Sequence, residues 1–217
     1  MKIKVCGLRN PDNILAIAAL PVDFIGLILY AGSPRNAASE QMIEWLEQNE
    51  SALAGVKIAG VFVNAEIEDV LNAVHDYRLD FVQLHGDESP DYCRELDSFR
   101  SLSSMRTAKL IKAFRVDEQF DFSSVAPYAS WCSYALFDTR SAEYGGSGKH
   151  FDWELLRQYG GPLPFLLSGG IAEEDAEALL QFRHPLMMGV DINSRFETAP
   201  AEKDVEKINR FIQTLHR

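Results

Sequence analysis

Short apolar runs recur along the chain at nearly regular intervals. They fall near residues 3–6, 24–29, 56–63, 81–84, 109–113, 134–138, 164–167 and 187–192, and each reads as a short buried strand. Between them, apolar positions repeat at helical spacing: Ile14, Leu15 and Ala18; Met42, Ile43 and Leu46; Ile67, Val70, Leu71 and Val74; Ala176, Leu179 and Leu180; Val205, Ile208, Phe211, Ile212 and Leu215. Segments at 88–97 and, more faintly, at 117–128 and 152–159 complete the series. Strand and helix thus alternate eight times. Strict alternation calls for a parallel sheet with right-handed crossovers. Eight units in 217 residues, about 27 residues each, predict closure into a barrel. The expected fold is α/β, a single-domain (β/α)8 TIM barrel covering residues 1–217, with no room for a second domain. An open dinucleotide-binding sheet would place G-x-G-x-x-G after the first strand, where Cys6-Gly7-Leu8-Arg9 stands instead.

In such a barrel the carboxyl ends of all strands face one mouth, so candidate chemistry is read from strand ends and the loops that follow them. Those positions hold Cys6, Ser33-Pro34-Arg35, Asn64, His85, Asp138, Ser168-Gly169-Gly170 and Asp191-Ile192-Asn193-Ser194. The first strand stops at a thiol and the sixth at a carboxylate. Two ionisable groups over one mouth point to proton transfer. By residue type alone, however, Cys6 also reads as a small buried hydrophobe and Asp138 as a cap after a strand.

Composition narrows the partners. The net charge is −11, with 32 acidic against 21 basic residues and no Lys/Arg-rich run, which argues against nucleic acid. A small anionic substrate must then be captured locally, by an arginine and backbone N–H dipoles. No apolar stretch is long enough to span a bilayer, and the start of the chain has no signal-peptide pattern. Three widely spaced cysteines (Cys6, Cys93, Cys132) match neither a disulfide framework nor a metal signature. A soluble, cytoplasmic protein is expected.

The motifs then carry a resemblance. Lys4-Val5-Cys6-Gly7-Leu8, Ser33-Pro34-Arg35, Gly60-Val61-Phe62-Val63-Asn64, Gln83-Leu84-His85-Gly86-Asp87, Phe137-Asp138-Thr139, Gly145-Gly146-Ser147-Gly148 with Phe151-Asp152-Trp153, and Gly189-Val190-Asp191 stand in that order across nearly the whole chain. This series resembles the phosphoribosylanthranilate isomerase family. The resemblance implies an Amadori rearrangement in tryptophan biosynthesis, taking N-(5-phosphoribosyl)anthranilate to 1-(2-carboxyphenylamino)-1-deoxyribulose 5-phosphate. It implies Cys6 as general base and Asp138 as general acid, with no metal and no organic cofactor, because the protonated imine of the substrate is the electron sink. A free thiol titrates near ~8.5 and a free aspartic acid near ~3.9, so each group needs its pKa shifted toward neutrality.

Further roles follow from the same resemblance and from position. Arg35 is the candidate clamp for the anthranilate carboxylate, since a guanidinium offers a planar fork. Ser168, Gly169 and Gly170 on one side and Asn193 and Ser194 on the other are expected to hold the phosphate. Asp191 matches a position near the sugar hydroxyls, or caps the strand. His85 faces the mouth, as a substrate contact or as a hydrogen-bonded structural residue. Residues 140–150 form either a lid or a flexible connector. Two departures from the family pattern are Arg195, near the expected phosphate, and Ser168, where alanine is common. A related barrel synthase that closes an indole ring would want a strand-end lysine, and Lys57, Lys109 and Lys112 fit this poorly. A phosphosugar-binding protein without catalysis is the other alternative, disfavoured by the presence of both Cys6 and Asp138. The state of assembly is left open as monomer or homodimer.

Overall fold

The computed structural model describes residues 1–102, 107–138 and 153–216. Eight parallel strands close into a barrel in chain order: β1 (Lys2–Cys6), β2 (Phe24–Ile28), β3 (Lys57–Phe62), β4 (Phe81–Leu84), β5 (Lys109–Arg115), β6 (Cys132–Asp138), β7 (Phe165–Ser168) and β8 (Met187–Ile192). Closure is direct: Lys4 of β1 lies in register with Phe24 of β2 on one side and with Asp191 of β8 on the other. All eight strands lie where the apolar runs placed them, because a strand buried on both faces must be apolar at nearly every position.

The outer layer is less regular. It holds α1 (Pro11–Ala18), α2 (Glu40–Gln48), α3 (Glu50–Leu53), α4 (Ile67–Asp76), α5 (Pro90–Leu102), α6 (Ala176–Gln181) and α7 (Val205–Leu215). Side-chain caps start several of these: Asn10 accepts from Asp12 N–H, Ser39 from Met42 N–H and Asp204 from Lys207 N–H. The two faint helical segments are realised only as 3₁₀ turns, at Phe122–Tyr128 and Trp153–Gln158. Pro127 lies inside the first of them and cannot donate an N–H to a longer helix. An element the hydrophobic pattern did not predict, a short hairpin of β9 (Glu197–Ala199) and β10 (Glu202–Lys203), follows β8.

Strand alternation divides the core in two. Outward residues pack against the helices. Inward ones fill the barrel with Phe24, Ala59, Phe81, Ile111, Ala113, Leu136 and Leu166. This plug leaves the polar inward residues gathered toward the carboxyl ends: Lys4, Gln83, Asp138 and Asp191 are all buried there. Truncating a plug residue such as Leu136 to alanine would open a void costing roughly 2–5 kcal/mol. The plug therefore works as a rigid floor under the polar layer. No helix among the described residues is long and apolar enough to cross a membrane.

Candidate active site

Cys6 ends β1 and Asp138 ends β6, both nearly enclosed, at 4 % and 6 % exposure. Their strands are three steps apart around the closed ring, which separates inward side chains on the order of 10 Å, the width of a substituted pentose. The glycine after Cys6 makes the turn out of the strand. Gly7 has φ +78°, and a Cβ there would meet Asn193 Oδ1 at 2.7 Å and Arg35 Cδ at 2.8 Å. Thus Arg35 and Asn193, far apart in sequence, both lie against the backbone beside Cys6.

On the Asp138 side, His85 Nε2 lies 3.5 Å from Asp138 Oδ2. Gln83 donates its side-chain N–H to His85 Nδ1 at 2.9 Å, an arrangement that leaves the proton on Nε2, facing the carboxylate. The loop carrying His85 is tied down from outside the barrel. Lys112 Nζ binds Gly86 O at 2.8 Å, Ala113 O at 3.0 Å and Glu88 Oε2 at 3.2 Å, and Glu88 accepts from Asn64 N–H at 2.8 Å. Asn64, in the left-handed region at φ 50°, accepts from Asp87 N–H at 2.7 Å. Asn64 and Lys112 therefore brace the loops after β3 and β4. A cavity of about 310 Å³ opens beside them, lined by His85, Phe114, Arg115, Phe120, Tyr128 and Asp138, among others. It reaches Asp138 from the β5 side and does not include Cys6.

Several expected residues have company the sequence did not announce. Arg35 is already engaged: its Nε and Nη2 donate to Glu197 at 2.8 and 2.6 Å. Glu197 also accepts from Lys203 Nζ at 2.6 Å and from Ala201 N–H at 3.1 Å, and Lys203 reaches Asn193 Oδ1 at 2.7 Å. One edge of the guanidinium is thus spent, leaving Nη1 and one Nη2 hydrogen for a ligand. Burial favours neutral Glu197, but the bonds from Arg35 and Lys203 outweigh it and hold the carboxyl below its usual range. Burial pushes Lys203 down, against the pull of Glu197.

Asp191 is likewise occupied. Its Oδ1 takes Lys4 Nζ at 2.9 Å, with the lysine side chain at 0 % exposure. The Lys4 ammonium stays charged: burial opposes the charge, and Asp191 together with Cys6 overrules it. The expected downward shift of the Cys6 thiol is not what the structure produces. Burial pushes that thiol up, and the counter-pull of Lys4, the next influence in size, is insufficient to reverse it.

The glycines expected at the phosphate both adopt left-handed backbone, Gly169 at φ 102° and Gly170 at φ 71°. They follow Ser168, which ends β7 in register with Asp138. Without a Cβ, both leave room for a ligand to approach the backbone closely. Asn193 is half-buried, and Ser194 and Arg195 are exposed. The expected lid at 140–150, with Thr139, Phe151 and Asp152, lies outside the described residues. No group of three or more His, Cys, Asp or Glu side chains that could hold a metal ion occurs among the described residues.

Sequence reasoning missed Lys4, Glu197 and Lys203. A signal existed for Lys4: it stands two residues before Cys6 in the same strand, so period two puts both on one face. Glu197 and Lys203 had none, since they sit on the unpredicted hairpin.

Comparison with known proteins bears on this geometry. The family model described as N-(5'phosphoribosyl)anthranilate (PRA) isomerase matches residues 3–214. The N-(5'-phosphoribosyl)anthranilate isomerase of Parabacteroides distasonis is 45 % identical over 99 % of this chain and 93 % of its own length. That of Phocaeicola vulgatus is 40 % identical, over 99 % of this chain and 98 % of its own length. Among solved structures, the phosphoribosyl anthranilate isomerase of Thermotoga maritima superposes with a TM-score of 0.83 at 30 % identity, covering 100 % of this chain and 98 % of its own. A phosphoribosyl anthranilate isomerase structure in complex with reduced 1-(o-carboxyphenylamino)-1-deoxyribulose 5-phosphate gives a TM-score of 0.80 at 28 % identity, covering 100 % of this chain and 98 % of its own. Motif order, barrel and relatives agree over essentially the full length, and the chain belongs to the N-(5'-phosphoribosyl)anthranilate isomerase family.

Proposed function

We propose that this enzyme carries out the family's isomerisation by general acid–base catalysis between Cys6 and Asp138. The reaction is the rearrangement of N-(5'-phosphoribosyl)anthranilate in tryptophan biosynthesis. Asp138, protonated, gives its proton to the ring oxygen as the furanose opens to the imine. The Cys6 thiolate takes the proton from C2, and the C–H electron pair flows toward the imine nitrogen, leaving an enolamine that tautomerises to the ketone. Solvent returns a proton to Asp138 and removes one from Cys6. His85, its Nε2–H toward Asp138, steadies the carboxylate left after donation. The phosphate rests on Ser168, Gly169 and Gly170 with Asn193 and Ser194 opposite, and the free edge of Arg35 meets the anthranilate carboxylate. The three free, buried cysteines suit the reducing cytoplasm.

The observation that carries this reading is the pair of strand-end groups over a single polar layer. Cys6 faces Lys4 and Asp191, and Asp191 in turn feels His85 and Asp138, so one line of charge joins the two sides of the mouth. The test is the loss of anthranilate-glycoside fluorescence in Cys6→Ala and Asp138→Asn. Each loses nearly all turnover while far-UV circular dichroism is unchanged. A kcat near wild type in either variant would overturn the assignment.

A further inference from the structure

Lys4 is wholly enclosed, an ammonium at 0 % exposure inside the barrel. A buried ion pair is poor value for stability alone, because well-packed apolar residues of equal volume hold a core as well or better. The place of this pair is therefore informative. A Cβ built on Gly26, in the neighbouring strand, would fall 2.8 Å from Cys6 Sγ and 3.1 Å from Lys4 Nζ. Sulfur and ammonium thus flank one point that only a glycine leaves open. Asp191 takes one of the three ammonium hydrogens, at 2.9 Å, and anchors the cation from β8.

We propose that Lys4 is a positioning residue for the base: its ammonium, clamped by Asp191 and admitted by Gly26, lies beside the Cys6 sulfur and stabilises the thiolate. The idea rests on the reading of Cys6 as the base and adds what makes an enclosed thiolate attainable. Among the described residues, the charged groups that act on the sulfur are Lys4 on its own strand, Asp191 on β8, Lys203 on the hairpin and Arg35 after β2. Asp191 opposes the thiolate; among the cations, Lys4 pulls hardest toward it. Lys203 and Arg35 share Glu197, which blunts their field at the sulfur. When Cys6 takes a proton from carbon the ammonium loses a neighbouring anion, but Asp191 keeps it charged for the next turnover.

The test is the rate of Cys6 alkylation by iodoacetamide across pH, followed by peptide mass spectrometry, alongside kcat/KM. Lys4→Gln removes the cation, and the double variant Lys4→Gln/Asp191→Asn removes both charges, so that no lone carboxylate is left buried if the single variant folds poorly. In the single variant alkylation at pH 8 falls at least about tenfold, equivalent to an upward move of the thiol titration by one pH unit, and in the double variant it falls less, because the opposing carboxylate is gone as well. A merely structural lysine would leave that titration in place, and wild-type alkylation rates in the folded double variant would overturn the proposal. If alkylation slows while turnover is untouched, Lys4 acts on the sulfur as described and it is the role of Cys6 as base that fails. If turnover collapses with alkylation unmoved, the inference about Lys4 fails and the role of Cys6 stands.

Discussion

Replacing Glu197 by glutamine probes how Arg35 is aimed. The carboxylate accepts from Arg35 Nε and Nη2, Lys203 Nζ and Ala201 N–H, at 2.8, 2.6, 2.6 and 3.1 Å. A glutamine keeps one acceptor oxygen and turns an NH2 toward a cation. The Arg35 half of the network is partly open, at 21 % side-chain exposure, so solvent screening limits it to roughly 0.5–1 kcal/mol. The Lys203 half is enclosed, at 0 % and 5 % side-chain exposure, where breaking a pair costs about 3–5 kcal/mol. Lys203 keeps Asn193 and, pushed down by burial, sheds its proton more readily once alone, which points to the low end of that range. A total near 4 kcal/mol would lower Tm by roughly 8–16 °C in a chain of this size. With the guanidinium no longer held, KM for N-(5'-phosphoribosyl)anthranilate rises at least about tenfold, some 1.4 kcal/mol, and more than kcat falls. Scanning fluorimetry and steady-state kinetics measure both quantities. The carboxyl of Glu197 sits below its usual range when folded, so its contribution is present at neutral pH and fades as acid protonates it. The Tm gap between wild type and variant should therefore close as the pH falls below the usual carboxylate range. A variant with Tm within 2 °C and unchanged KM would refute the view that Glu197 holds Arg35.

Two further outcomes are expected. Gly26→Ala forces a methyl to within 3.0 Å of Cys6 Cα and 2.8 Å of its sulfur, so turnover should fall at least about a hundredfold, roughly 2.7 kcal/mol, while Tm drops only a few degrees; an active Gly26→Ala enzyme would show the sulfur free to move without penalty. In the wild type, burial keeps Cys6 protonated past the ordinary thiol range, so alkylation should climb steadily from pH 7 to 9 without levelling. A plateau below pH 8 would contradict that. The linked stability has the same sign: it is present below the unfolded thiol pKa of ~8.5 and is lost as alkali ionises the folded thiol.

The elements of this protein were legible because they are written in local patterns. Strands buried on both faces must be apolar runs, and helices against them must show a stripe, so the eight strands and the well-marked helices could be counted without coordinates. Cys6, Asp138 and the Ser168-Gly169-Gly170 turn were visible because barrel strands deliver their ends to a shared mouth. The faint helices at 117–128 and 152–159 shrank to 3₁₀ turns.

Pairings of charge could not be read in the same way. Lys4 meets Asp191 across 187 positions, and Arg35 meets Glu197 across 162. Only ring closure, which sets β8 beside β1, brings such residues within hydrogen-bonding distance. The protonation state of Cys6 is likewise a tertiary property: it depends on the contest between exclusion of water, which favours the thiol, and one enclosed ammonium, which favours the thiolate. Residue type along the chain determines which groups can ionise, whereas packing decides how much water and which partners each one keeps.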